Sequence, residues 1–527
     1  MSAPTSKLYI CSNVRLNSDY IHSIYFPDIA SQDEYFSGKV VYTFSDYTYL
    51  RKSWNIKVNA SMTQARKWSY LYFINDNKRW YYFITNIEYK NDQCVELTLE
   101  LDVIQTYMFD WSLSKCFVER EHVANDEIGA NLVEEDIEVG EIVTKHQSEI
   151  PLAEMCILIM STFNPNTTTE GSTTTVLGLS YHGVFSGVGI YAVPNTSYSK
   201  WSAKLNDLDR WGKSDGIISM WMYPRELVTL KSGYTWTDDN VCKPVSTVTP
   251  IDYASTRPDM LKGYSPRNNK LFCYPYNFLY VYNNTGGSAV YKYEHFTNPE
   301  NFGFRIGGAL SPDGKVFLYP RNYKGCVDNY DEGLTLSGFP TCAWNQDVYK
   351  LWLAQNQNQQ IMALMTSGLK IGAGLVSTAV GGLTGSLAGV GGGAKTSVSG
   401  IIDIQNMLAQ RKDKEIQPPQ AKGGHSVNVN VALNCHTFIL KAQCVTPEYA
   451  KIIDGYFDIY GYAVKRVKLP SLKNRKNWTY LKTVGCHVYG NFCIDDKKKI
   501  ERIFDNGITF WVNGDSIGNY SLENTTL

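Results

Sequence analysis

The stretch WYYFITNIEYKNDQCVELTLELD, residues 80–102, changes side-chain character with a period of two. In its second half Val95, Leu97, Leu99 and Leu101 fall on one side and Glu96, Thr98 and Glu100 on the other, the spacing of a strand with one buried face. The aromatic first half supplies a partner strand and the polar KNDQ a turn, so the stretch predicts a β-hairpin. The chain before it reads the same way, as short aromatic and β-branched runs punctuated by Asn, Asp, Ser and Lys.

Composition extends that reading to most of the 527 residues. The 37 Tyr, 12 Trp and 21 Phe favour strands over helices, and at about 150 residues per domain the chain is long enough for two to four domains. The expected class is mostly β (α+β). A formal net charge of −1 provides no global basic field for nucleic acid, so contact with DNA must be local or weak. The 12 cysteines form no C-x-x-C pair, which argues against a zinc ribbon or a redox motif and for scattered reduced thiols. The start, MSAPTSKLYICSNVRLNSDY, lacks a basic then apolar leader, so folding in a cytosol is expected.

Four regions follow from the pattern. Residues 1–150 open with successive short strands to about residue 110 and include EEDIEVGE (134–141), whose acids lack the order of a calcium loop and read as a solvated strand or loop. Residues 151–345 turn to Thr, Ser, Gly, Asn and Tyr, with a polar loop at NPNTTTEGSTTT (164–175) and further β structure around it. Residues 346–422 carry helical spacing in DVYKLWLAQNQNQQIMALM and IIDIQNMLAQRKDKE on either side of an uncharged stretch, and Pro418 and Pro419 close it. Residues 423–527 return to alternation at SVNVNVALN and mix strands with a helix at PEYAKIIDGYFDIYG.

The uncharged stretch is IGAGLVSTAVGGLTGSLAGVGGGA, 371–394, in which nine of 24 residues are glycine. Gly381, Gly385, Gly389 and Gly393 recur every fourth residue, so a helix here presents a smooth stripe for close helix pairing. Glycine costs about 0.8–1 kcal/mol relative to alanine, so such a helix is unstable alone in water. Ile371, Leu375, Val376, Val380, Leu383, Leu387 and Val390 are apolar enough to enter lipid, which suits a conditional membrane-inserting peptide. A buried helical hairpin in an oligomer is the competing reading, and a flexible linker fits poorly with seven branched aliphatics.

No catalytic motif stands out. The eight histidines make no HExxH, there is no G-x-S-x-G, and GGAKTS near Lys395 lacks the spacing of a phosphate loop. No metal, cofactor or catalytic residue is assigned, although an acid pair for glycoside hydrolysis is a matter of three-dimensional spacing that sequence leaves open. Basic clusters at Lys465, Arg466, Lys468, Lys473, Arg475 and Lys476, and at Lys497, Lys498, Lys499 and Arg502, read as a charged outer or subunit-facing surface rather than a phosphate track.

Two long C-terminal segments, IFDNGITFWVNGDSIGNYSLEN (503–524) and YGYAVKRVKLPSLKNRKNWTYLKT (460–483), resemble the tail knob (distal tail tube) proteins of small short-tailed, protein-primed podoviruses. LELDVIQTYMFDW (99–111) and VEREHV (118–123) are similar to the same family, while the middle looks shorter than the family's. The resemblance implies a β-rich, tube-forming protomer in a ring-shaped homo-hexamer. The N- and C-terminal regions would build and complete the tube, and the middle would form the lower knob. Residues 371–394 would be the hydrophobic loop between two helices that plugs the tube and crosses the host membrane at ejection. It further implies a virion tail-tip protein made in the host cytoplasm, with no enzymatic activity. Its partners would be its own copies, the upper tube or collar and tip proteins, double-stranded DNA in the lumen and the host membrane. A receptor-binding knob and a wall-degrading tail protein are the alternatives.

Overall fold

A computed structural model describes residues 7–343 and 437–527, apart from 51–53, 76, 151, 153, 175, 177–179, 182–183, 186, 284–285, 313, 338 and 340. The two helices and the uncharged stretch expected within 346–422, and the alternation at 426–434, lie outside the described residues. The described part is mostly β and falls into two units. One combines residues 1–141, 263–276 and 445–527, and the other residues 142–262 and 277–444.

In the first unit the 80–102 hairpin forms as expected: Lys78–Asn91 pairs antiparallel with Cys94–Leu101, from Tyr82 opposite Leu101 to Asn91 opposite Cys94. Val95, Leu97 and Leu99 are buried, as the alternation requires. Glu96 is buried too, because Asn55 (2.6 Å) and Lys90 (3.0 Å) neutralise it on the opposite face.

The hairpin is the middle of a seven-stranded sheet ordered Val40–Phe44, Leu8–Cys11, Tyr70–Asn75, Lys78–Asn91, Cys94–Leu101, Asn55–Val58, Tyr47–Leu50. Its first and last strands are neighbours in sequence, joined only by Ser45 and Asp46. Three Cα steps reach at most about 11 Å, whereas the edges of a flat seven-stranded sheet stand about 29 Å apart. The sheet must therefore roll into a barrel, with residues 40–50 acting as one bent strand. Leu8, Ile10, Ile56, Val58, Leu71, Tyr82, Val95, Leu97 and Leu99 fill it, drawn from strands all around the sheet. Outside, Phe36 of the Ile29–Gly38 helix stacks on Tyr70, with ring centroids 5.4 Å apart.

A five-stranded sheet completes this unit in the order His22–Ile24, Ile508–Trp511, Trp478–Val484, Cys116–Glu121, Tyr462–Lys468. His22–Ile24 runs parallel to Ile508–Trp511, so the two ends of the sequence are sewn into one sheet. The helix expected at PEYAKIIDGYFDIYG is present as Pro447–Tyr460: Pro447 sits in its first turn, where its missing N–H costs nothing, and Gly461 ends it at φ 63°.

The second unit is built of antiparallel sheets. A six-stranded sheet is ordered Val228–Leu230, Lys243–Val248, Gly189–Pro194, Met155–Ser161, Ile217–Pro224, Thr341–Ala343. The Tyr198–Arg210 helix lays Trp201, Leu205 and Leu208 against Ile157, Ile159 and Val193. A second sheet joins Ile251–Thr256, Asn301–Ala309, Lys315–Tyr323 and Cys326–Asp328, over a core that includes Phe296, Phe302, Phe304, Tyr291 and Tyr323. Of the 164–175 stretch, residues 164–174 form a loop, as expected, closed by the Thr169–Ser172 bridge.

Candidate functional site

The sequence-predicted site, comprising Ile371, Leu375, Val376, Val380, Leu383, Leu387, Val390 and the stripe Gly381, Gly385, Gly389 and Gly393, lies outside the described residues. Among the described residues no helix is long and apolar enough to cross a membrane, and no group of three or more His, Cys, Asp or Glu side chains is placed to hold a metal ion.

The densest polar chemistry in the described chain is in the first unit, on the Pro447–Tyr460 helix. Asp454 and Asp458 are one turn apart on the face that also carries Ala450, Ile453 and Phe457, so the helix buries two carboxylates with its apolar stripe. Residues 263–276 satisfy them. Asp454 accepts from the Tyr264 hydroxyl (2.7 Å), the Arg267 amide (2.8 Å), the Asn268 amide (3.1 Å) and the Asn268 side-chain nitrogen (2.7 Å). Asp458 accepts from the same Asn268 nitrogen (2.8 Å) and pairs with the Arg267 guanidinium. Burial raises the Asp458 carboxyl above its ordinary range, against the pull of Asn268 and Arg267.

The neighbouring carboxylates are occupied in the same way. Asp126 accepts from the Tyr462 hydroxyl (2.5 Å) and lies 3.5 Å from Arg475, while burial raises its pKa. Glu135 has a fully buried side chain that pairs with both Arg120 and Lys270, and its Oε1 accepts from the Ala463 amide at 2.9 Å. Most of EEDIEVGE is loop, as expected, but Glu135 is not solvated: it is the counter-ion for two buried cations. Burial lowers the Lys270 ammonium below its ordinary value.

His122 closes the cluster. Its Nδ1 accepts from the Tyr480 amide (2.7 Å) and its Nε2 donates to the Asp458 carbonyl (3.1 Å), which assigns the neutral Nε2–H form. Burial, reinforced by Arg475, pushes its pKa down to about 3. With the carboxylates engaged by donors of the same chain, this cluster clamps residues 263–276 to the helix and offers no free acid pair to a sugar. Sequence reasoning missed it, although two acids on the apolar face of a predicted helix were a visible signal.

Five of the ten residues in the two basic clusters pair with acids. Lys465 pairs with Asp136 (2.9 Å), Lys468 with Glu121, Arg475 with Asp126, Lys499 with Glu100 (2.8 Å) and Lys497 with Glu501 (3.7 Å). Lys498 and Arg502 are exposed one turn apart on the Ile494–Asn506 helix. The first cluster is not wholly the charged surface that the sequence suggested, because Arg475 is buried against Asp126. Cys11, Cys116, Cys156, Cys242, Cys444 and Cys486 are buried free thiols, and Cys326 and Cys493 are exposed ones.

The first unit thus holds a rolled barrel of N-terminal strands beside a sheet that joins both ends of the chain, and the second unit is β-rich; the class of protein with this build is a structural protein of a phage tail. The comparisons make this specific. Residues 241–525 match the family model described as Bacillus phage phi29, Tail knob protein gp9, C-terminal domain, and residues 4–112 match that of the Caudoviral major tail protein N-terminus. The chain belongs to the tail knob protein gp9 family of podophages. It is 26% identical to the tail knob proteins gp9 of Bacillus phages B103 and phi29, over 98% of this chain and 98% of each relative. Its fold is similar to that of the bacteriophage C1 tail knob protein gp12, with a TM-score of 0.68 at 13% identity over 99% of this chain and 100% of that one.

Proposed function

We propose that this tail knob protein forms a homo-hexameric ring that is the distal DNA conduit of a short tail. Residues 371–394 plug the ring and cross the host membrane when the genome is ejected. The observation that carries the reading is the composition of that segment, 24 uncharged residues with a glycine at every fourth position from Gly381 to Gly393, inside a chain of the tail knob family. Six copies supply each glycine stripe with a partner, which offsets the cost of a glycine-rich helix standing alone. As one helix, Val376, Val380, Leu383, Leu387 and Val390 would face lipid while Gly381, Gly385, Gly389 and Gly393 face neighbouring copies, with Ile371 and Leu375 on the stripe's side before it begins.

The near-neutral chain suits a conduit, because DNA must slide and each extra phosphate contact would hold it back. In this reading residues 1–150 and 423–527 build the tube, 151–345 the lower knob and 346–422 the helices bearing the plug. The protein is made in the host cytoplasm and joins the upper tube or collar and the tip in the virion.

The test is dye release from liposomes by the purified protein beside a version lacking residues 371–394, with ring assembly checked by negative-stain microscopy. Leakage that needs the segment supports the proposal; intact six-fold rings that release nothing remove the membrane role. Gly385→Leu should block close packing of the inserted helices, giving particles with normal tubes and weakened genome delivery.

A further inference from the structure

We propose that Cys116 and Cys486 form a latent disulfide site that closes after the protein leaves the reducing cytosol, covalently joining the N-terminal and C-terminal strands of the first unit. The backbone brings them together. Phe117 pairs with Val484 at the end of Cys116–Glu121 and Trp478–Val484, and Leu113 pairs with Val488 in the next ladder. Both pairs belong to one register, which continues through the Ser114 amide donating to the His487 carbonyl at 3.0 Å. That register sets Cys116 opposite Gly485 and Cys486 one residue further along. Cα atoms in such a relation are about 5–7 Å apart, the span a disulfide takes.

The turn that carries Cys486 is fixed as well. Gly485 has φ 63°, and Asp505 accepts from the Thr483 hydroxyl (2.8 Å), the Gly485 amide (3.2 Å) and the Cys486 amide (3.1 Å). Within this frame the two thiols lie within hydrogen-bonding reach of each other, at 6% and 3% exposure. Two thiols this close in a buried, apolar setting are inert in a reducing cell, but a virion spends its extracellular life in an oxidising medium, where such pairs close. The bond would tie residues 370 positions apart (486 − 116), so it would restrict the unfolded chain strongly.

With oxidised glutathione as the oxidant, the Cys116 thiolate attacks one of its sulfurs, forming a mixed disulfide and expelling one glutathione thiolate. The Cys486 thiolate then attacks the Cys116 sulfur, forming the protein disulfide and expelling the second glutathione thiolate. The two cysteine protons end on the two glutathione thiols, and the disulfide of glutathione is what is reduced. Burial raises both thiols, the Cys486 thiol to about 12, but at Cys116 the contact with Cys486 partly offsets the rise, so Cys116 is the better first attacker.

The experiment treats the full-length protein with oxidised glutathione until the exposed Cys326 and Cys493 have reacted completely, then alkylates the remaining thiols in denaturant and maps the peptides by mass spectrometry. The expected result is a Cys116–Cys486 linked peptide, two hydrogens lighter than its parts, reversed by dithiothreitol and accompanied by a raised thermal midpoint. Cys116→Ser and Cys486→Ser should each abolish it. Alkylation of both Cys116 and Cys486 after Cys326 and Cys493 have been consumed, or linkage of either to a different cysteine, overturns the proposal. The wild-type map decides the matter even if the serine variants fold poorly.

Discussion

Replacing Asp454 by Asn keeps the shape of the side chain and removes its charge, which isolates what the carboxylate does for residues 263–276. One oxygen accepts from the amide and side chain of Asn268, and the other from the Tyr264 hydroxyl and the Arg267 amide. An asparagine can leave its oxygen toward Asn268, and the Tyr264 hydroxyl can turn to accept from the new NH₂. The Arg267 amide has no such option and is left facing a donor. An orphaned buried N–H costs about 1–3 kcal/mol, and loss of charge from the remaining bonds adds about 1 kcal/mol, so the clamp should weaken by about 2–4 kcal/mol. At 1.4 kcal/mol per decade this is about 30- to 700-fold faster hydrogen exchange at the Arg267 and Asn268 amides through local opening. Hydrogen exchange followed by mass spectrometry on the folded protein measures this peptide directly. Tyr264→Phe, which removes one bond and orphans no amide, should cost only about 1 kcal/mol. Unchanged exchange at 267–268 in Asp454→Asn would refute the idea that this carboxylate pins the loop.

Three further perturbations follow from the same region. Gly461→Ala should destabilise the first unit by more than about 3 kcal/mol in a denaturant titration, since φ is 63° there and an added Cβ would lie 2.2 Å from the Glu121 carbonyl oxygen, a backbone atom that cannot step aside. Glu135→Ala should cost about 3–5 kcal/mol by leaving Arg120 and Lys270 as buried cations without their counter-ion, and adding Lys270→Met should recover part of the loss, which a double-mutant cycle reads. The pH dependence of stability should carry two opposed contributions. His122, held down at about 3, favours proton uptake by the unfolded chain, so its stabilising contribution is present above about pH 6.5 and lost as pH falls toward 3. Asp102, raised by burial to about 6, favours proton uptake by the folded chain, so its penalty is present above about pH 6 and relieved as pH falls toward 4. Asp102→Asn keeps the oxygen that caps the Ile104 and Gln105 amides, and it should flatten the second contribution while leaving the first.

What could be read from the chain divides along physical lines. The 80–102 hairpin and the Pro447–Tyr460 helix were legible because each is fixed by its own periodicity: one apolar face, one turn or one proline at the start. Closure of the barrel was not legible, because it depends on residues 40–44 and 47–50 pairing with different partners across the sheet, and no local pattern says that a strand will bend instead of turning back on itself. The same holds for the clamp. Asp454, Asp458, Asp126 and Glu135 each read locally as acids in polar or helical surroundings, and their burial follows only when Asn268, Lys270 and Arg475 arrive from distant parts of the sequence.

Residues 371–394 are the opposite case, a stretch whose chemistry is evident from composition alone and whose proposed partners, lipid or other copies of itself, are not contained in one chain. A glycine-rich apolar segment gains nothing by packing against a solitary protomer, since the glycine stripe is complementary chiefly to another such stripe. Its energetics are therefore a property of the assembly. Under the proposed function, a tail knob that stays in water until ejection and then enters a bilayer would need a segment of this kind, too costly as a helix in water and too sparing in bulk to anchor permanently. Lengthening its aliphatic content, for instance by Gly385→Leu with Gly389→Leu, should therefore harm twice: it removes the close contact in the membrane, and it raises the tendency of free protein to bind vesicles before any trigger. Premature vesicle binding by the double variant, absent in the parent and measured by flotation, distinguishes this account from one in which the segment only packs inside the particle.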